Sequence, residues 1–150
     1  AVAALGALGP TAGGHTGEMV AMALASRDAR ERSEALAALA KCGGGDLSQQ
    51  LLPLLRDSAP GVRAAAAMAL GRLGAVAAAD DIAALLEDVA EDSGGLPHEV
   101  GGAAPREPMA LRKPRCAALV ALGAIGAGAH APGILELLAA PDWEVRFCAL

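Results

Sequence analysis

Tyrosine is absent from this chain of 150 residues, and there is a single tryptophan and a single phenylalanine. A surface that stacks on nucleic-acid bases needs aromatic rings, so this scarcity already disfavours one class of ligand. Runs of lysine or arginine are also missing. The net charge is −5 and the pI is near 5.1, which removes the basic footprint that nonspecific nucleic-acid binding requires. The three cysteines, Cys42, Cys116 and Cys148, form no CxxC and no metal-ligand spacing. They read as reduced, buried thiols of an intracellular, cytoplasmic protein. The glycine-rich GAGAHAPG segment is followed by no GK[ST], which excludes a phosphate loop. Cys116 to Leu135 carries no Asp, Glu, Lys or Arg, long enough for a membrane span. Gly123, Gly126, Gly128, Pro132 and Gly133 interrupt it, and it reads as two short helices with a turn between them, not as a membrane segment.

What the chain does have is alanine and leucine, the strongest helix formers, and little that favours strands. It also has a ruler. Arg32 and Arg63 are 31 residues apart, Arg115 and Arg146 are again 31 apart, and the gap between the two pairs is 52. Leu39, Leu70 and Leu122 follow the first three arginines by seven residues, and Gly43, Gly74 and Gly126 follow by eleven. A fixed period in this range marks a stacked repeat. The N-terminal AVAALGALG fits the tail of an earlier copy, and the pattern stops mid-helix at Leu150. The expected object is therefore a piece of a longer array, in contact with further repeats of the same chain.

Each repeat divides into two helices, A and B. The B helices start just before the arginines, with apolar residues three, four, seven and ten positions later, which is helical spacing with one buried stripe. Their closing glycines suit a left-handed cap. The A helices are GEMVAMALAS, LSQQLLPLLRD, DDIAALLEDVAE and APGILELLAA. Val20, Leu51 and Ile134, with Leu24, Leu55 and Leu138, occupy matching core positions. Asp46 and Gln49 form an expected capping box, and Pro53 should kink its helix. Acidic residues at the A–B turn (Asp28, Asp57, Asp142) suit helix starts. The extra residues of the long gap fall in one A–B turn, as a Gly/Pro-rich insertion at about 92–113, the segment expected to be least ordered. Gly71 and Gly123 are expected to let neighbouring helices approach closely.

Paired leucines, an acidic turn, Val-Arg, an alanine-rich stretch and Leu-Gly resemble the HEAT repeat. Leu51 to Gly74, Pro114 to Gly126 and Ile134 to Leu150 carry the resemblance, which is nearest to the short HEAT-like repeats of phycobilisome bilin lyases. It implies an all-α fold, a right-handed, armadillo-like α-solenoid of antiparallel helix pairs. It further implies a non-catalytic scaffold that binds a protein partner, or alternatively an accessory subunit that handles a tetrapyrrole on a client protein. HEAT-like deoxyhypusine hydroxylases hold two irons through His-Glu pairs directly after the repeat arginine. Here those positions are Ser33-Glu34, Ala64-Ala65, Cys116-Ala117 and Phe147-Cys148, so no metal and no cofactor are expected. His98-Glu99 lies in the insertion, out of register, and His15 and His130 read as turn histidines.

The four arginines, Arg32, Arg63, Arg115 and Arg146, form the main polar constellation. As multidentate donors they suit contacts to acidic residues or carbonyls at the A–B turns of their own or the adjacent repeat. A candidate partner face lies on the B helices between the core positions, around Lys41, Met68, Arg72 and Val120, mildly apolar and suited to a peptide. Trp143 and Phe147, four apart on the last B helix, share one face. They read as an aromatic anchor or as a packing surface for a following repeat.

Overall fold

The computed structural model describes residues 16–42, 47–89 and 113–150. Within them the chain is helical, with no strand. The A helices are α1 (Thr16–Ala25), α3 (Ser48–Leu51), α5 (Ala79–Ala83) and α7 (Ala131–Leu137); the B helices are α2 (Ala29–Cys42), α4 (Pro60–Arg72), α6 (Pro114–Ile125) and α8 (Trp143–Ala149). Each A helix packs on the B helix that follows it, and the B helices α2, α4, α6 and α8 touch in sequence as one row. This is an all-α solenoid of antiparallel pairs, in two layers.

The A helices are short and finish tightly. α3 passes into a 3-10 turn at Leu52–Arg56, with Pro53 in its first turn. Proline has no N–H to return to the preceding turn and its ring crowds that turn, so the α-helical ladder stops there. α5 also tightens, at Ala84–Glu87, without a proline. It ends at Glu87, earlier than the expected DDIAALLEDVAE helix, and Asp88 is extended (φ −78, ψ 103). That extension lets its carboxylate face the previous repeat.

The core is built from small side chains. Ala23, Ala35, Ala66, Ala67, Ala69, Ala117 and Ala118 are fully buried, with Leu36, Leu39, Leu51, Leu70, Ile82 and Leu122 between them. Alanine surfaces let helix axes approach, and the repeated small contacts accumulate along the stack. Leu24 departs from its register mates: it is 45% exposed, because α1 has a described neighbour in its own row only on the α3 side.

Two B helices end in the same closure. Ala75 N–H reaches Leu70 O (3.0 Å) and Gly74 N–H reaches Gly71 O (3.1 Å); Ala127 N–H reaches Leu122 O (3.1 Å) and Gly126 N–H reaches Gly123 O (3.2 Å). Gly74 and Gly126 take φ of 65 and 74, the left-handed geometry this Schellman closure demands. Gly43, Asp46, most of the 92–113 insertion, His15 and His98-Glu99 lie outside the described residues. The helix that Asp46 was expected to cap starts with Leu47 at its N-cap and no side-chain cap hydrogen bond.

Gly71 and Gly123 divide. A Cβ on Gly71 would sit 2.8 Å from Ala121 Cα and Cβ, whereas one on Gly123 would meet nothing within 4 Å. The expected close approach exists at Gly71; at Gly123 the position that would meet it in the same register, six residues past Arg146, lies past Leu150. Ala121 lies six residues past its ladder arginine, and α8, the helix that packs on α6 in the same way, reaches only Ala149.

Candidate functional site

The A–B turns carry the polar architecture. Asp57, extended at φ −60 and ψ 148, accepts the Ala59 N–H on Oδ1 (2.8 Å), which orders the turn into α4. The same carboxylate receives Arg32 of the preceding repeat side-on, Nε at 2.8 Å and Nη2 at 2.7 Å. Both side chains are about nine-tenths buried. Arg63 repeats the arrangement one repeat later, its Nε donating to Asp88 Oδ2 at 2.6 Å. In both pairs acid follows arginine by 25 residues.

A second contact recurs at three of the four arginines, each time within its own repeat. Nη1 of Arg32, Arg63 and Arg146 donates to the carbonyl six residues before it: Ser26 O (2.9 Å), Asp57 O (2.8 Å) and Ala140 O (2.6 Å). One arginine therefore ties its own turn to the next one along the stack. Charge-assisted contacts of this kind, in a setting mostly withdrawn from water, are stronger than surface pairs.

The third rung differs. Counting 25 residues on from Arg115 leads to Ala140, a methyl group where Asp57 and Asp88 carry carboxylates. Arg115 Nε is buried and has no hydrogen-bond partner. An unsatisfied buried donor costs roughly 1–3 kcal/mol. Beside it lies a cavity of about 180 Å³ lined by Asp88, Val89, Lys113, Arg115, Ala140 and Asp142, among others. Asp88 is held by Arg63, and Asp142 by Lys113 Nζ at 2.8 Å.

The expected partner face takes a different form. Lys41 and Arg72 are exposed, but Met68 is 8% exposed and Val120 is half-buried. Ala64, Cys116 and Ala117 are also buried. The reason is that α4 and α6 have B-row neighbours on both sides as well as A helices behind them. Positions between the core stripes on such a helix face the adjacent repeat instead of solvent, so the proposed strip is interrupted there. Trp143 and Phe147 are 65% and 70% exposed.

Two contacts were invisible to sequence reading. Cys116 and Cys148 meet, and burial, followed by the neighbouring Cys148, pushes the Cys116 thiol up to about 12. The only signal was that they occupy adjacent offsets, one and two after their arginines. His130 Nε2 lies 3.2 Å from Asp80 Oδ1, joining the starts of two A helices. Among the described residues no three His, Cys, Asp or Glu side chains are grouped to hold a metal. Nor is any described helix long and apolar enough to cross a membrane.

Residues 18–93 match the family profile of HEAT repeats. No curated protein sequence matches the chain. Among solved structures, the chain is similar to one in the complex of CpcE and CpcF of phycocyanin lyase from Nostoc sp. PCC7120, with a TM-score of 0.70 and 29% identity. The match covers 91% of this chain and 50% of that one, so this chain spans half the length of its solved relative.

Proposed function

Because the chain belongs to the HEAT repeat family, we propose that it is a non-catalytic interaction module that docks onto a protein partner. The observation that supports this most is the likeness, over nearly the whole chain, to a protein solved as part of a two-protein complex. The ladder fits the same reading. Arg32 and Arg63 spend their donors on acids and carbonyls of the stack itself, and Arg146 on carbonyls. These three are structural in this proposal, and rigid stacking of repeats is what an extended docking surface needs.

A second reading has its own support, since the solved relative is part of a phycocyanin lyase. On it, this chain would be an accessory subunit in chromophore attachment. One experiment separates the two. The protein is purified from its source cells after mild crosslinking, and its complexes are sized and their absorbance recorded. A defined stoichiometric protein complex without chromophore is the expected result. A bilin absorbance band, with transfer of the bilin to a client, would move the assignment to the lyase reading. A chain that stays monomeric under these conditions would defeat both.

A further inference from the structure

We infer that the open rung at Arg115 is a binding site for a carboxylate, supplied from outside the stack. The inference does not depend on the choice between scaffold and lyase subunit.

The repeats themselves identify the ligand. At two other rungs the edge of the same arginine faces a carboxylate, side-on through Nε and Nη2 at Arg32 and through Nε at Arg63. At the third rung the arginine is kept and the acid is replaced by Ala140. The backbone at that point keeps its role: Ala140 O accepts Arg146 Nη1 as Asp57 O accepts Arg63 Nη1. The alanine methyl therefore starts from the same place as the Asp57 side chain, and what is missing is the carboxylate alone. The space beside the guanidinium is a half-open cavity of about 180 Å³, which admits a carboxylate together with the chain that carries it.

Charge points the same way. The carboxylates of Asp88 and Asp142 are matched by Arg63 and Lys113. Arg115 is left as the cation of this cavity with no carboxylate among the described residues, and its Nε is buried and unpartnered. A more highly charged anion such as phosphate would crowd the two acids in the walls. The planar guanidinium edge also matches a planar carboxylate, as the Arg32–Asp57 pair shows.

The carboxylate has two sources, a free small acid or an Asp or Glu side chain of a docked protein. Propionate and a blocked pentapeptide with one central aspartate serve as probes. Each is titrated into the chain by calorimetry and by thermal melting, at fixed ionic strength with chloride as the reference anion. We expect saturable millimolar binding with a raised melting temperature. Binding should be at least tenfold weaker in Arg115→Gln. Ala140→Asp, which restores the missing acid, should melt higher than the parent without ligand and lose the probe response. Ala140→Asn controls for side-chain size. Propionate binding as well as the peptide indicates a free acid, and peptide binding much tighter than propionate indicates a protein side chain. Equal responses in the parent and Arg115→Gln, or none in either, would overturn the site even if Ala140→Asp did not fold.

Discussion

At the scale of single residues, two glycines in one register make opposite demands. Gly71 has Ala121 backbone and side chain where its own Cβ would be. The obstructing atoms belong to a helix, not to a flexible side-chain end, so the neighbour cannot step aside. Gly71→Ala should destabilise by about 1–3 kcal/mol, the usual range for overpacking. Gly123 faces open space at a negative φ within α6. In the 150-residue chain alanine there removes the entropy penalty of glycine, and Gly123→Ala should stabilise it by up to about 1 kcal/mol. Chemical denaturation of both variants checks this; shifts of the same sign would refute the packing account. Cys116 supports a second test. Its thiol is raised to about 12 from an ordinary 9.0, by burial first and Cys148 second. Between those values the folded chain holds a proton that the unfolded chain releases, so stability is fully retained below pH 9 and falls as pH rises toward 12. Native Cys116 should resist alkylation at pH 9 and react once denatured. Comparable rates in both states, read by mass spectrometry, would contradict the burial.

At the scale of elements, the caps turn sequence periodicity into geometry. Gly74 and Gly126 occupy positive φ with open space around them, so the objection to a side chain there is conformational and not steric. Gly126→Ala should cost about 1 kcal/mol, and Gly74→Ala the same within error, because the two closures match. Urea unfolding would reveal it; a neutral Gly126→Ala would mean that the left-handed cap contributes nothing. These helices were readable in advance for a physical reason. The spacing of Ala66, Ala67 and Leu70, or of Ala118, Leu119 and Leu122, is set by a single helix and needs no knowledge of neighbours. What escaped reading depends on two or more helices at once. Met68 looked like a surface residue because its offset lies between core positions on one helix, but the B row covers α4 from both sides. An acid or carbonyl at an A–B turn is the contact the arginine ladder suggests, but which acid meets Arg32 is hidden in the sequence. Asp57 suits the helix start of its own repeat, and its pairing with an arginine 25 residues back follows only from how repeats stack. Asp88 falls inside the expected DDIAALLEDVAE helix, which conceals the second pair. The Arg115 cavity could have been suspected from the sequence once that rule was known, since Ala140 then stands out.

At the scale of the whole molecule, the question is whether the stack tolerates its inserted turn. The two sides of the insertion keep ordinary register. Asp88 receives Arg63 as Asp57 receives Arg32. On the far side α6 packs on α4 and on α5, as α4 packs on α2 and on the 3-10 turn that follows α3. Joining Asp88 directly to Ala110 removes 21 residues and places Arg115 six positions after Asp88, the spacing between Asp57 and Arg63. The Asp88 carbonyl would then stand to Arg115 as the Asp57 carbonyl stands to Arg63. Loop-closure entropy varies only logarithmically with length, so the shortening should itself favour folding, by on the order of 1 kcal/mol. The deleted chain should therefore unfold in one cooperative transition, at or above the melting temperature of the parent. Because adjacent repeats share interfaces, a misfit at this turn would uncouple α6 to α8 from α1 to α5. It would appear as two transitions in calorimetry, or as loss of helical signal at low temperature. Either result would show that the insertion braces the stack and is not merely carried by it.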